Sequence, residues 1–137
     1  MKTQNLTNRY KELINITESE LEEQFSWIKE AWIENSIIEV KDGKLVWHNG
    51  TWNDGTWEDG IWKDGNWGGD HSIWENGIWE GGTWYDGTWE DGIWKGGEWI
   101  KGDWWNGIWE DGTWYDGTWK DGFWEGGEWK GGIKENQ

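Results

Sequence analysis

An all-β repeat fold, a parallel β-solenoid wound from five-residue units, is what this sequence predicts, and three observations carry the expectation. Trp recurs every fifth residue at 52, 57, 62 and 67, skips to 74, and then keeps step to 129. Gly stands two residues before each Trp of this series except Trp74, as in "GTWEDGIWKDG" at 55–65. Aliphatic residues are scarce and the sole Ala is Ala31, whereas Trp accounts for 20 of 137 residues. The indoles must therefore form the core. A fixed short period with glycine at a set place is the mark of a repeat architecture.

Each unit reads Gly, then Thr or Ile, Trp, a variable residue, and Asp, Asn or Gly. The Thr/Ile-Trp pair favours extended backbone, and the Asp-Gly or Asn-Gly pair that follows supplies a turn with positive φ. A unit is thus a very short strand followed by a corner. One unit is stretched by two residues across "GGDHSI" at 68–73. Val40-Lys41-Asp42-Gly43 already has the form of a unit, with Val in the Trp slot. A three-unit phase lies over the pentads, because the residue before Trp is apolar at Val46, Ile61, Ile78, Ile93, Ile108 and Phe123. The phase suits a triangular coil. Three indoles per layer nevertheless look too bulky for fifteen residues of backbone stacked at roughly 4.8 Å, so volume favours four sides and makes the phase a relic of duplication.

The pentads resemble the pentapeptide-repeat family, with Gly55, Gly60 and Gly87 in its small slot and Trp57, Trp62 and Trp89 in its central slot, over about residues 44–133. That resemblance implies a four-sided, right-handed parallel β-helix. The chain departs from the family pattern with Thr or Ile before the central residue and Trp in place of Leu or Phe. Exchanging small plus Phe for Gly plus Trp roughly conserves interior volume, which packed cores tolerate. The phrase Gly-x-Trp-x-x-Gly is also similar to part of the MORN repeat. A rival geometry accordingly stays open, an antiparallel meander with two-residue turns and every Trp on one face.

Residues 1 to about 36 read as helical. "TESE" at 17–20 has capping-box spacing, Leu21, Phe25, Ile28 and Trp32 fall on one helical face, and Leu6, Tyr10 and Leu13 suggest an earlier amphipathic turn. The predicted organisation is a helical cap and entry strand at 1–43, the solenoid at 44–133 and a tail at 134–137. The cap, with Phe25 and Trp32, would cover the first core layer. At the other end Lys134 takes the Trp slot and stops the stack with a charge; the resemblance implies that this C-terminal end is a candidate homodimer surface.

The net charge is -16 and lies mostly on the repeats, where 18 acids face five lysines between residues 51 and 132. Such a field repels nucleic acid and anionic membrane and favours a partner with a basic surface. No Cys is present, which excludes disulfides and thiolate metal sites. The N-terminus lacks an apolar signal core, so a cytoplasmic location is expected.

Asp70-His71-Ser72 spells the letters of a hydrolase triad, but adjacent side chains cannot form the ordered relay, and a polar bulge is the expectation. The Asp column at 54, 59, 64, 86, 91, 111, 116 and 121 invites calcium, yet every Asp precedes Gly, as turn chemistry demands, and no metal or cofactor is expected. Tyr85, Ile100, Trp105 and Tyr115 follow a core Trp and point outward as candidate partner anchors. The candidate surface adds Asp86, Asp91, Asp111, Asp116 and Asp121 to them. The functional expectation is a non-catalytic acidic repeat protein that binds a partner's basic surface. For the finer form, the resemblance implies mimicry of DNA and inhibition of a nucleic-acid-handling protein. The alternative is a structural or surface module whose charge serves solubility.

Overall fold

The structure, a computed structural model, describes residues 8–135. Strand β1 (Tyr10–Leu13) is followed by helices α1 (Glu18–Gln24) and α2 (Ser26–Glu30), then by the long strands β2 (Trp32–Lys41) and β3 (Lys44–Asp54). Sixteen two-residue strands, β4 (Thr56–Trp57) to β19 (Ile133–Lys134), complete a parallel β-solenoid of about six turns. In each short strand but β19 the first residue faces out and the Trp faces in. The core Trp side chains from Trp47 to Trp114 are fully buried.

The coil has three sides, not four. Trp47 pairs in register with Trp62, Trp62 with Trp79 and Trp79 with Trp94, so each strand lies beside the strand three units on. The first face carries Trp47, Trp62, Trp79, Trp94, Trp109 and Trp124; the second runs from Trp52 to Trp129, and the third from Trp57 to Trp119 with Lys134 in its last place. The first two faces belong to one thirteen-stranded sheet because β3 turns the corner between them. Coil-to-coil ladders use both ends of each short strand: Ile78 N donates to Gly60 O at 3.0 Å, and Glu80 N to Trp62 O at 2.7 Å.

The three-sided coil accommodates its indoles because a ring is thin. Within a face successive indoles stack 4.6 to 4.9 Å apart with planes 4–10° from parallel, so each occupies one layer of the sheet spacing. Between faces consecutive indoles meet edge to face at 5.6 to 6.0 Å and 63–76°, the arrangement their quadrupoles favour. Treating the indole as a compact volume rather than as a plate overstates what three of them need.

Glycine makes the corners possible. Gly92 sits at φ +121, and a Cβ there would run into the carbonyl oxygen of Gly77 one coil below. Where the stretched unit interrupts the pattern, buried Ser72 takes the corner place, its Oγ donating to Gly68 O at 2.7 Å and its carbonyl accepting from Thr88 N. The sequence unit at Val40–Gly43 has a different fate. Asp42 and Gly43, both at positive φ, form the two-residue turn of the antiparallel β2–β3 hairpin, in which Lys41 pairs with Lys44.

The N-terminal region is less helical than the sequence suggests. Tyr10 and Leu13 lie in β1, which pairs in parallel with β2 (Leu13 opposite Ile38), and Trp32 opens β2 and is 60% exposed. Sheet pairing across more than twenty residues overrides the local helical period. Leu6 lies outside the described residues. The capping box does form, with Glu20 N donating to Thr17 Oγ1 and Thr17 N to Glu20 Oε1. Trp27, not Trp32, closes the first core layer, standing edge-on to Trp57 at 5.1 Å with Phe25 behind it at 6.0 Å. At the far end Lys134 Nζ lies 4.6 Å from the Trp129 ring centroid and 5.6 Å from that of Trp124, a cation over the last two indoles.

Four substitutions probe this architecture by thermal or urea denaturation. Trp89→Ala removes a mid-stack plate and is expected to cost about 3–5 kcal/mol, with Trp89→Phe costing less. Gly92→Ala combines strain with a backbone collision and is expected to cost about 2 kcal/mol or more. Gly68→Ala, at negative φ with nothing nearer than 3.8 Å, should stay within about 0.5 kcal/mol of the parent.

Candidate functional site

With the interior filled by indoles, chemistry can be offered by the positions before and after each Trp and by the corners. Stacking of coils turns each of these positions into a vertical column, and the fifteen-residue turn decides which residues share one.

Tyr85, Ile100 and Tyr115 share a column on the second face, since Ile100 N donates to Trp84 O and Tyr115 N to Trp99 O. Tyr85 is 49% and Tyr115 39% exposed. Asp86 and Asp116 follow them at the edge between the second and third faces, separated by Lys101, whose Nζ is 3.9 Å from Asp86 Oδ2. These five predicted residues are brought together. Trp105 occupies the next face, between Glu90 and Lys120 in its own column, with Lys120 Nζ 5.4 Å from its ring centroid. Asp91 and Asp121 lie on the edge between the third and first faces, with Asn106 between them, and Asp111 lies on the remaining edge. These three aspartates are dispersed from the aromatic column.

The corner aspartates do not form unbroken rows. Along the third-to-first edge the order is Asp59, Asn76, Asp91, Asn106, Asp121, and elsewhere Gly or Lys intervenes. Each aspartate Oδ1 instead accepts from the following glycine amide at 2.8 to 2.9 Å, as at Asp59, Asp91 and Asp121. Their first task is to hold the turn. Among the described residues no group of three or more His, Asp or Glu side chains is placed to hold a metal ion. In the stretched unit His71 is exposed and lies 3.7 Å from Asp70, whereas Ser72 is turned inward, so the three letters diverge. His48 shares its Nε2 with Glu39 Oε1 at 2.9 Å.

One continuous acidic column exists, and the sequence reading did not find it. Glu58, Glu75 and Glu90 stack on the third face, as Glu75 N donates to Trp57 O and Glu90 N to Trp74 O. Asp59 and Asp91 border the column, and Trp105 continues it upward. The Glu75 carboxyl titrates above the usual range, first because neighbours shield it from water and then because Glu90 and Glu58 repel its charge. The signal was present in the sequence as the three-unit phase, which becomes spatial once the coil has three sides.

A carboxyl whose pKa is raised by folding binds its proton more readily in the folded state, so it opposes folding above that pKa and the penalty disappears as pH falls. Glu75→Gln is therefore expected to raise the melting temperature at pH 7, with the gain shrinking towards pH 4. A gain independent of pH would assign the effect to something other than this charge.

Among the described residues no helix is long and apolar enough to cross a membrane. No protein-family model, curated protein or solved structure matches the chain.

Proposed function

We propose that the chain is a non-catalytic binding rod that engages a basic protein surface through its third face and the neighbouring aromatic column. The observation that carries this reading is the Glu58–Glu75–Glu90 column, which leads directly into exposed Trp105. A carboxylate recurs there at about every 4.8 Å of axis, against one phosphate per roughly 3.4 Å for each strand of a duplex. Carboxylates fixed this way on a stiff sheet lose little freedom on binding, and exposed Trp and Tyr add apolar anchors within a polar rim.

Duplex mimicry is the finer form of the reading, in which the partner is a nucleic-acid-handling protein in the cytoplasm and DNA competes for the same basic groove. The interleaved corner aspartates favour a single acidic stripe over the two phosphate-like rows of full mimicry. They also give weight to a second reading, a structural module, because their charge already has a local use at the turns.

Affinity capture with the intact protein at low salt, followed by capture with Glu58→Lys/Glu90→Lys, tests the proposal. The expected result is retention of a basic partner by the parent, a loss of at least about tenfold in affinity in the variant, and steep weakening with salt. Displacement of that partner by duplex DNA supports the finer form. Retention of nothing, or of the same proteins by parent and variant alike, favours the structural module.

A further inference from the structure

The first face carries a column of alternative character. Ile61, Ile78, Ile93 and Ile108 point outward along it, half-buried, and Phe123 at the open end is 71% exposed. Val46, at the start of the same column, is already covered. Beside the apolar strip runs a charged column, the residues that follow each Trp: His48, Lys63, Glu80, Lys95, Glu110 and Glu125 in coil order.

Two flat faces can meet about a two-fold axis that lies in their plane and runs along the strands. The apolar strips then face each other, the charged columns face each other, and the order of coils is reversed between copies. With the axis at the middle of the six coils, His48 meets Glu125, Lys63 meets Glu110 and Glu80 meets Lys95. The two Lys–Glu pairs are opposite in sign at neutral pH, while Glu125 faces a His48 whose Nε2 is already paired with Glu39 Oε1 at 2.9 Å. Moving the register by one coil either sets Glu80 against Glu110 and Lys95 against its own copy, or sets Lys63 against Lys95 and Glu80 against itself. Parallel association sets each charge against its copy.

Attraction along the column within one chain does not by itself explain this order. Lys63 and Glu80 do pair, at 3.5 Å, and Lys63, Glu80, Lys95 and Glu110 alternate. At the open end the alternation fails, with Glu125 beside Glu110, while the Lys–Glu opposition across the two-fold holds. We propose that two copies of this chain associate in antiparallel fashion through the first face, with the isoleucine strips in contact and the charged columns setting direction and register. Six coils give a strip about 29 Å long. It is narrow for a permanent dimer, so association is expected to be reversible, in the range of micromolar to millimolar concentration.

Sedimentation velocity across concentrations up to about 0.5 mM, at low and high salt, tests the proposal with four exposed charge variants. The parent is expected to dimerise reversibly and more weakly in high salt. Lys63→Glu and Glu110→Lys should each weaken the dimer about tenfold, since each change creates two like-charge contacts per dimer. Their combination, Lys63→Glu/Glu110→Lys, should restore it although both side chains then repel their neighbours along the column. Lys63→Glu/Glu80→Lys, which keeps the pair within the chain, should not restore it. Melting curves at low concentration confirm that each monomer is folded. A parent that stays monomeric throughout overturns the proposal, as does a dimer indifferent to these exchanges, such as one joined end to end through the last coil, or equal dimerisation by the Lys63→Glu/Glu80→Lys variant.

Discussion

The structure depends on a match between two lengths. Parallel strands in a sheet lie about 4.8 Å apart, and the indoles of successive coils stack 4.6 to 4.9 Å apart. Hydrogen-bonded backbone and stacked side chains therefore share one repeat, and neither has to strain to suit the other. Three such stacks meet edge to face along the axis and fill the triangle. The ring edges add hydrogen bonds to this packing, with Trp99 and Trp104 Nε1 donating to the corner carbonyls of Asp116 and Asp121 at 3.1 and 3.0 Å.

The same match dictates the corners and the ends. An indole fills the interior only if the chain turns tightly beside it, and the corner glycines lie where a Cβ would strike the backbone of the coil below. A stack of plates has no natural terminus, and each exposed last layer would offer both an apolar face and unpaired strand edges. Trp27 closes one end as an edge-on lid held by α2, while β1 and β2 extend the sheet beyond the first coil. Lys134 closes the other by a different means, placing an ammonium over Trp129 in the position the next indole would take.

With a core this uniform, individuality lies on the outside. Charge and apolar character are arranged in columns about 4.8 Å in step, and each column has its own composition. One face carries isoleucines beside alternating charges, the second a Tyr85–Ile100–Tyr115 ladder, and the third the Glu58–Glu75–Glu90 stripe with Trp105 above it. A rigid lattice of this kind favours recognition by charge order and spacing rather than by a shaped cleft.

The sequence by itself determined the strand-and-corner unit, the glycine corners and the Thr17–Glu20 cap, because each rests on contacts within a few residues or on a period repeated along the chain; it favoured the parallel solenoid, and the parallel pairing of the strands excluded the antiparallel meander. It also located the outward apolar and aromatic positions Tyr85, Ile100, Trp105 and Tyr115. The number of sides was decided only in three dimensions, since it depends on the thickness and tilt of stacked rings rather than on residue volume. From that one undetermined quantity came the rest of what was missed: the Glu58–Glu75–Glu90 column, the scattering of Asp91, Asp111 and Asp121 over two edges, and the charged column beside the isoleucines of the first face. The strand at Tyr10–Leu13 and the lid at Trp27 were likewise settled by tertiary structure, because a short segment with weak local preference takes the form of the sheet edge or core layer it has to cover.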